Sequence, residues 1–317
     1  MATGESPTVV LICHEQDRLD CDGLASWLAN TMRLAGLLII REGPGGRWRA
    51  ARREMRRVGI LGLLDVAAFR AYGRMVQSRR DAEWKARELA RLMAAYPARV
   101  DDVPRLVVSN PNAPDAKAFL ERLRPDLTIA RCKVILRPDI YGIARVGTFV
   151  LHPGICPEYR NAHGCFWALA NGERERVGMT LLKVDAGIDT GPIYLQTSCD
   201  FDEHHESHVV IQYRVVTENL EAIGQTLHAV CRGEDVQPIS TAGRRSAAWG
   251  QPRLSDYLRW RTRERRASTA SPSNEQSVPA AGVIGLPPAV RRHISGHGSL
   301  DQNGTRLAAA NETEVVH

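Results

Sequence analysis

The chain has 317 residues, 44% of them hydrophobic and 25% charged, with a formal net charge of +6. These are ordinary globular proportions, enough to bury a real core, and the charge is modest for the length. The opening "MATGESPTVVLIC" lacks a basic n-region and no apolar run approaches membrane-spanning length, so a signal peptide and a transmembrane helix are excluded as readings.

Seven cysteines fall in no paired spacing, which points to reduced thiols and a cytoplasmic protein. In chain order, "TVVLIC" (Thr8 to Cys13) predicts a buried strand, "GLASWLANTMRL" (Gly23 to Leu34) a helix and "GLLII" (Gly36 to Ile40) a second strand. An Arg/Ala/Leu-rich stretch to about Ala98 predicts two or three helices inserted between strands. Its Arg run, Arg41 to Gly59, could meet phosphate but reads better as the solvated face of an amphipathic helix. Strands follow at Arg105 to Ser109, Asp126 to Cys132 and Gly147 to His152, with a helix at Asp115 to Arg124. A helix closes on Gly172. Val177 to Asp185 and Gly191 to Cys199 then read as strands joined by the tight "AGIDT". A long helix is predicted from Ser207 to Val230, and a final one from Trp249 to Arg266 that docks by its Leu, Tyr and Trp side chains. From Ala267 to His317 the composition turns to Ser, Pro, Gly, Asn and Ala without periodicity, the signature of a disordered tail. Short buried strands alternating with helices predict an α/β domain with a mostly parallel sheet, whose ligands gather at the carboxyl ends of the strands.

His152 sits at such an end and opens the polar loop of "VLHPGICPEYRNAHGCFWAL" (Val150 to Leu169). A lone histidine there is commonly structural. A second polar cluster, "VDAGIDTGP" (Val184 to Pro192), offers Asp189, and a His and an Asp on neighbouring loops make a workable acid/base pair. The alternative, that Asp185 and Asp189 only form the turn, stays open. His204 and His208, one helical turn apart, read as a polar helix start and not as metal ligands. Cys156 and Cys165, near His163, read as small buried hydrophobes. No G-x-G-x-x-G or P-loop follows the first strand, so no nucleotide cofactor is expected, and no metal.

The segments "HPGICPEYR", "FWALANGE" and "VGMTLLKVDAGIDTGPIYLQ" together resemble the formyltransferase superfamily that uses 10-formyltetrahydrofolate, which includes glycinamide ribonucleotide, methionyl-tRNA and sugar N-formyltransferases. The resemblance is strong from Gly147 to Gln196 and absent after about Arg266. It implies a Rossmann-like catalytic domain over about residues 1–200, with the helical insertion at 42–98 and a helical extension at 201–266 packed on it. It assigns catalysis to His152 and Asp189. It places the folate against Cys132, Lys133, Val134 and Ile135, and against Val184, Asp185, Ala186, Gly187 and Ile188. The implied reaction is attack of an amine on the formyl carbonyl, with protonated His152 stabilising the oxyanion and Asp189 governing the proton.

One position departs from the pattern. The family carries an oxyanion-donating Asn two residues before the His, where this chain has Val150; losing such a donor costs about 10²- to 10³-fold in rate. Asn161 and His163 are the nearest substitutes in the loop, although Asn161 fits an N-cap equally well. The glycine-rich loop for a ribosyl phosphate is missing, and the tail is unlike a carboxy-terminal tRNA-binding domain, so neither a glycinamide ribonucleotide nor tRNA is the expected acceptor. A small amine remains: an amino sugar, an amino acid or a pathway intermediate. The alternative is a catalytically impaired folate-binding or scaffold member of the fold. A homodimer is left open.

Overall fold

A computed structural model describes residues 6–270. Strand β1 (Thr8–His14) leads through a π-helical turn (Leu19–Leu24) into α1 (Ala25–Thr31) and β2 (Arg33–Ile40). The inserted helices α2 (Pro44–Tyr72) and α3 (Ser78–Ala95) follow, then β3 (Arg105–Val108), α4 (Pro114–Leu123), β4 (Leu127–Arg131), α5 (Pro138–Tyr141) and β5 (Gly147–His152). Beyond β5 come the short β6 (Arg160–Asn161), α6 (Gly164–Asn171), β7 (Met179–Lys183) and β8 (Ile193–Thr197). Helices α7 (His208–Thr217) and α8 (Leu220–Cys231), strand β9 (Ala248–Trp249) and α9 (Leu254–Ala270) complete the described chain.

Seven strands form one sheet in the order β3-β2-β1-β4-β5-β7-β8. Pairing is parallel from β3 to β5 and antiparallel at β5–β7 and β7–β8, so the expected Rossmann-like, mostly parallel sheet is present. Val9 to Ile12 are fully buried, as a central strand covered on both faces must be. Val10 and Ile12 pack with Phe119 and Leu120 of α4 and Ile140 of α5. Helices α1, α3, α7 and α8 pack together and against β2, β7 and β8. Trp27 of α1 is buried there, its ring 3.6 Å from where a side chain at Gly224 of α8 would begin. The strand order switches at β1, with β2 on one side and β4 on the other, so the carboxyl ends of β1, β4 and β5 open onto the crevice where such sheets bind ligands.

Three of the differences from the expected boundaries have a clear local reason. The first helix stops at Thr31 because Met32 is extended (φ −141°, ψ 177°) and starts the run into β2. The helix expected from Ser207 to Val230 is two. Asn219, at φ −112° and ψ 15°, breaks it while accepting from Thr197 Oγ1 (2.9 Å) and donating to the Val215 carbonyl (2.9 Å). The last helix starts at Leu254, not Trp249, because Trp249 pairs with Asn161 in a separate two-stranded sheet of β6 and β9. It docks through Tyr257 and Trp260, whereas Leu258 is 53% exposed. Residues 267–270 continue α9, and the remainder of the expected tail, 271–317, lies outside the described residues.

The insertion is held to α9. Asp65 of α2 accepts from the Ser255 main chain at 3.1 Å, and the Tyr72 and Tyr257 hydroxyls meet at 3.2 Å. Inside α2 the backbone turns at Gly59 (φ 72°), a conformation that glycine alone takes without strain. Arg52, Arg56 and Arg57 of the Arg run are exposed. Among the described residues no helix is long and apolar enough to cross a membrane.

Trp27→Ala should remove about 3–5 kcal/mol, the usual cost of emptying a large aromatic site. Urea unfolding followed by far-UV dichroism measures it, and a loss well under 1 kcal/mol would mean α8 does not rest on this ring.

Candidate active site

His152 is the last residue of β5, opposite Thr180 of β7, and only 4% exposed. The loop after it doubles back over the ring. Gly154 permits this, since a Cβ there would lie 2.8 Å from His152 Nε2 and 2.7 Å from the Tyr159 carbonyl oxygen. Buried polar groups pin the loop: the Cys156 amide donates to Thr180 Oγ1 (3.0 Å), and Thr180 Oγ1 donates to the Gly154 carbonyl (2.7 Å). Arg244 donates to the Cys156 carbonyl and to the Glu158 carboxylate, both at 2.7 Å. The result is a contact of 2.7 Å between His152 Nε2 and the Tyr159 carbonyl oxygen. A carbonyl only accepts, so Nε2 carries hydrogen.

The other ring nitrogen, Nδ1, stands 3.5 Å from Asp189 Oδ2. The hairpin turn that carries Asp189 leaves β7 beside Thr148, where the Val184 amide donates to the Thr148 carbonyl (2.8 Å). It then folds back along β5 to reach His152. Asp185 shapes this turn by accepting from the Gly187 amide (2.9 Å) and the Thr190 hydroxyl (2.7 Å). Gly191 lets it close, because a Cβ there would lie 1.9 Å from the Lys183 carbonyl oxygen. Asp189 itself sits in the left-handed region (φ 50°) and accepts from the Asn161 amide at 2.8 Å. Asp185 thus bonds within the turn, and Asp189 bonds outward from it.

Burial by itself would discharge His152. The Cys156 sulfur and the Asp189 carboxylate beside it, with the Tyr159 carbonyl, outweigh that cost and raise the pKa to about 10. The neighbours favour the imidazolium, with one N–H anchored and the second nitrogen held loosely against a carboxylate. That arrangement can donate a proton or stabilise a nascent oxyanion.

Val150 lies two residues before His152 on the same face of β5. It is paired with Ala130 of β4 and packs against two apolar clusters, one on the α4–α5 side of the sheet and one of Cys156, Leu182 and Ile193, and offers no donor. The Asn161 side chain donates to the Trp249 carbonyl, while its amide serves Asp189. The N-cap of α6 is His163, not Asn161. His163 has its pKa lowered to about 4, by burial and then by Lys133 and Arg70, and its Nδ1 lies 3.5 Å from Gln212 Nε2. It is a neutral imidazole.

The two segments expected to hold a folate flank the Val150–His152 face. In Cys132 to Ile135, Lys133 is exposed with its amide on His14 Nε2 (3.1 Å), and Ile135 is 60% exposed with its carbonyl on Asn112 (2.9 Å). Val134 packs against the same apolar cluster as Val150. In Val184 to Ile188, Ala186, Gly187 and Ile188 are exposed, and Arg160 holds the Ile188 carbonyl at 2.9 Å. His204 and His208 form no metal pair: His208 is buried against Phe69 and Phe166, and His204 meets Glu264. Among the described residues no three His, Cys, Asp or Glu side chains are grouped to hold a metal ion.

One buried element escapes the sequence reading. Arg131, at the end of β4, donates through Nη1 to the Leu151 carbonyl (2.6 Å) and through Nε to Asp20 (3.0 Å). Burial raises the Asp20 carboxyl to about 6 even with Arg131 beside it. The legible signal was an arginine inside the apolar run "LTIARC".

A formyl transferase family model matches residues 72–227, a span that holds His152, Asp189 and both flanking segments. The methionyl-tRNA formyltransferase of Pelotomaculum thermopropionicum is 33% identical over 118 residues, 35% of this chain and 37% of that protein. The one from Anaeromyxobacter sp. (strain K) is 30% identical over 172 residues, 54% of each. The chain thus spans about half or less of the length of these relatives. Among solved structures, a phosphoribosylglycinamide formyltransferase from Anaplasma phagocytophilum aligns with a TM-score of 0.47 at 12% identity, covering 78% of this chain and all of that one. A sugar N-formyltransferase from a Shewanella species aligns at 0.45 and 13% identity, covering 98% and 99%.

The charged state of His152 is directly measurable by NMR of its ring carbons. In the native protein it should stay doubly protonated at neutral pH and lose a proton only as pH rises toward about 10. Asp189→Asn removes one of the charges that hold the proton, so the midpoint should fall toward the ordinary histidine value. An unmoved midpoint would show that Asp189 does not act on the ring.

Proposed function

The chain belongs to the formyltransferase superfamily, and from that premise we propose that it moves a formyl group from 10-formyltetrahydrofolate to the amine of a small acceptor in the cytoplasm. The observation that carries this reading is the placement of His152, with Nδ1 3.5 Å from Asp189 and Nε2 tied to a carbonyl. The contact at Nδ1 is too long for a strong hydrogen bond, so an oxygen gaining negative charge can take that N–H without breaking a good one. Asp189, beside it, is the acceptor for the proton that an attacking amine must shed.

A flat heteroaromatic ring needs an apolar slot edged with main-chain groups. Ile135 and Ile188, both exposed, and the turn from Ala186 to Ile188 provide such edges on either side of β5. Cys132 to Ile135 and Val184 to Ile188 are the residues that would hold the folate, which supplies an activated formyl carbon. The acceptor is a small amine such as an amino sugar, amino acid or pathway intermediate. A second reading rests on Val150 alone: a folate-binding member of the fold in which transfer has been lost.

The test is a formyl mass gain in a panel of amino sugars, amino acids and methionyl-tRNA incubated with the protein and 10-formyltetrahydrofolate. A small amine should gain the formyl group. His152→Ala and Asp189→Asn should each lower the rate by about 10²- to 10⁴-fold, the range for a lost acid or base, while calorimetric folate binding persists. Full activity in either variant overturns the residue assignments. Methionyl-tRNA as sole acceptor overturns the small-amine assignment, and folate binding without transfer to any amine favours the second reading.

A further inference from the structure

The turn that leaves β1 brings two thiols together next to the site. Cys13 is fully buried at the end of the strand, and Cys21, in the π-helical turn, is partly exposed. Their Sγ atoms are 3.1 Å apart. Main-chain bonds fix the approach: Asp17 donates to the His14 carbonyl (3.0 Å) and Cys21 donates to the Asp17 carbonyl (2.8 Å). The Cys21 thiol also points at the His14 carbonyl, 3.1 Å away. Neither sulfur takes part in the chemistry assigned to His152 and Asp189.

Two sulfurs this close need to approach by only about 1 Å to reach the bonded distance of about 2.05 Å. We propose that Cys13 and Cys21 are an oxidative modification site, a thiol pair that hydrogen peroxide converts to an intrachain disulfide. Cys21, the sulfur with access, is oxidised to a sulfenic acid as peroxide is reduced and one water leaves. The Cys13 sulfur then attacks the Cys21 sulfur, the S–S bond forms, and the sulfenic hydroxyl departs with the Cys13 proton as a second water. One peroxide and two thiols become one disulfide and two waters. Asp20, the partner of Arg131, immediately precedes Cys21, so the bond would tie the turn carrying that carboxylate to the end of β1.

Arg18 lies between the two cysteines, so trypsin separates them. The full chain is treated with hydrogen peroxide, its free thiols are alkylated under denaturing conditions, and it is digested without reductant. The expected product is the peptide ending at Arg18 joined to Leu19–Arg33, lighter than their sum by two hydrogens and parted by dithiothreitol. Cys21→Ser should abolish the joined species. Cys165 serves as an internal control that stays alkylatable, since it is fully buried and its sulfur faces the Pro153 and Gly178 carbonyls (3.5 and 3.4 Å), not a second thiol. Recovery of both N-terminal peptides alkylated and separate, or of Cys21 as a sulfinic or sulfonic acid with no joined peptide, would overturn the proposal.

Discussion

A carbonyl oxygen can only accept, so the 2.7 Å contact from Tyr159 to His152 Nε2 settles where one proton of the ring must be. The chemistry of the site then falls to Nδ1. With a carboxylate facing that nitrogen, an unprotonated lone pair would be repelled, and the favoured state is the imidazolium. The loop that presents the Tyr159 carbonyl is therefore a working part of the acid. Thr180, Arg244 and Gly154 matter because they set where that oxygen stands.

The scaffold supplies the other half of the constraint. Parallel pairing of β4 and β5 places Arg131 beside Leu151, and the guanidinium binds that carbonyl while neutralising Asp20 behind it. Breaking such a buried pair by removing one partner commonly costs about 3–5 kcal/mol, because a charge is left without compensation. The strand end that carries His152 is thus held from below by an ion pair and from above by the returning loop. Asp189 arrives from a third direction, on a turn that doubles back along β5.

Much of this was legible in the sequence because it is written locally. Apolar runs of strand length gave the strands now seen as β1 through β5, β7 and β8, and "HPG" and "DTGP" marked the two polar turns. What was not legible depends on residues far apart in the chain. Nothing near Asn219 announced that its side chain would turn to Thr197 and Val215 and break a helix. The Arg131–Asp20 pair spans 111 residues, and the Tyr159 contact needs a loop conformation that no periodicity encodes. Asn161 shows the same limit from another side. Its main-chain amide reaches Asp189 while its side chain binds Trp249, a division of labour invisible in the letter N.

Val150 stands where the family pattern has an oxyanion-donating Asn. It shares a face with His152 but is wedged between two apolar clusters, so in this reading the developing oxyanion relies on Nδ1 without a second side-chain donor from β5. The most direct measurement is the single-turnover rate of formyl transfer from 10-formyltetrahydrofolate in Val150→Asn, set against the native protein. A rise of about 10²- to 10³-fold is expected, the usual worth of one oxyanion donor. A folded, folate-binding Val150→Asn variant with an unchanged rate would contradict it.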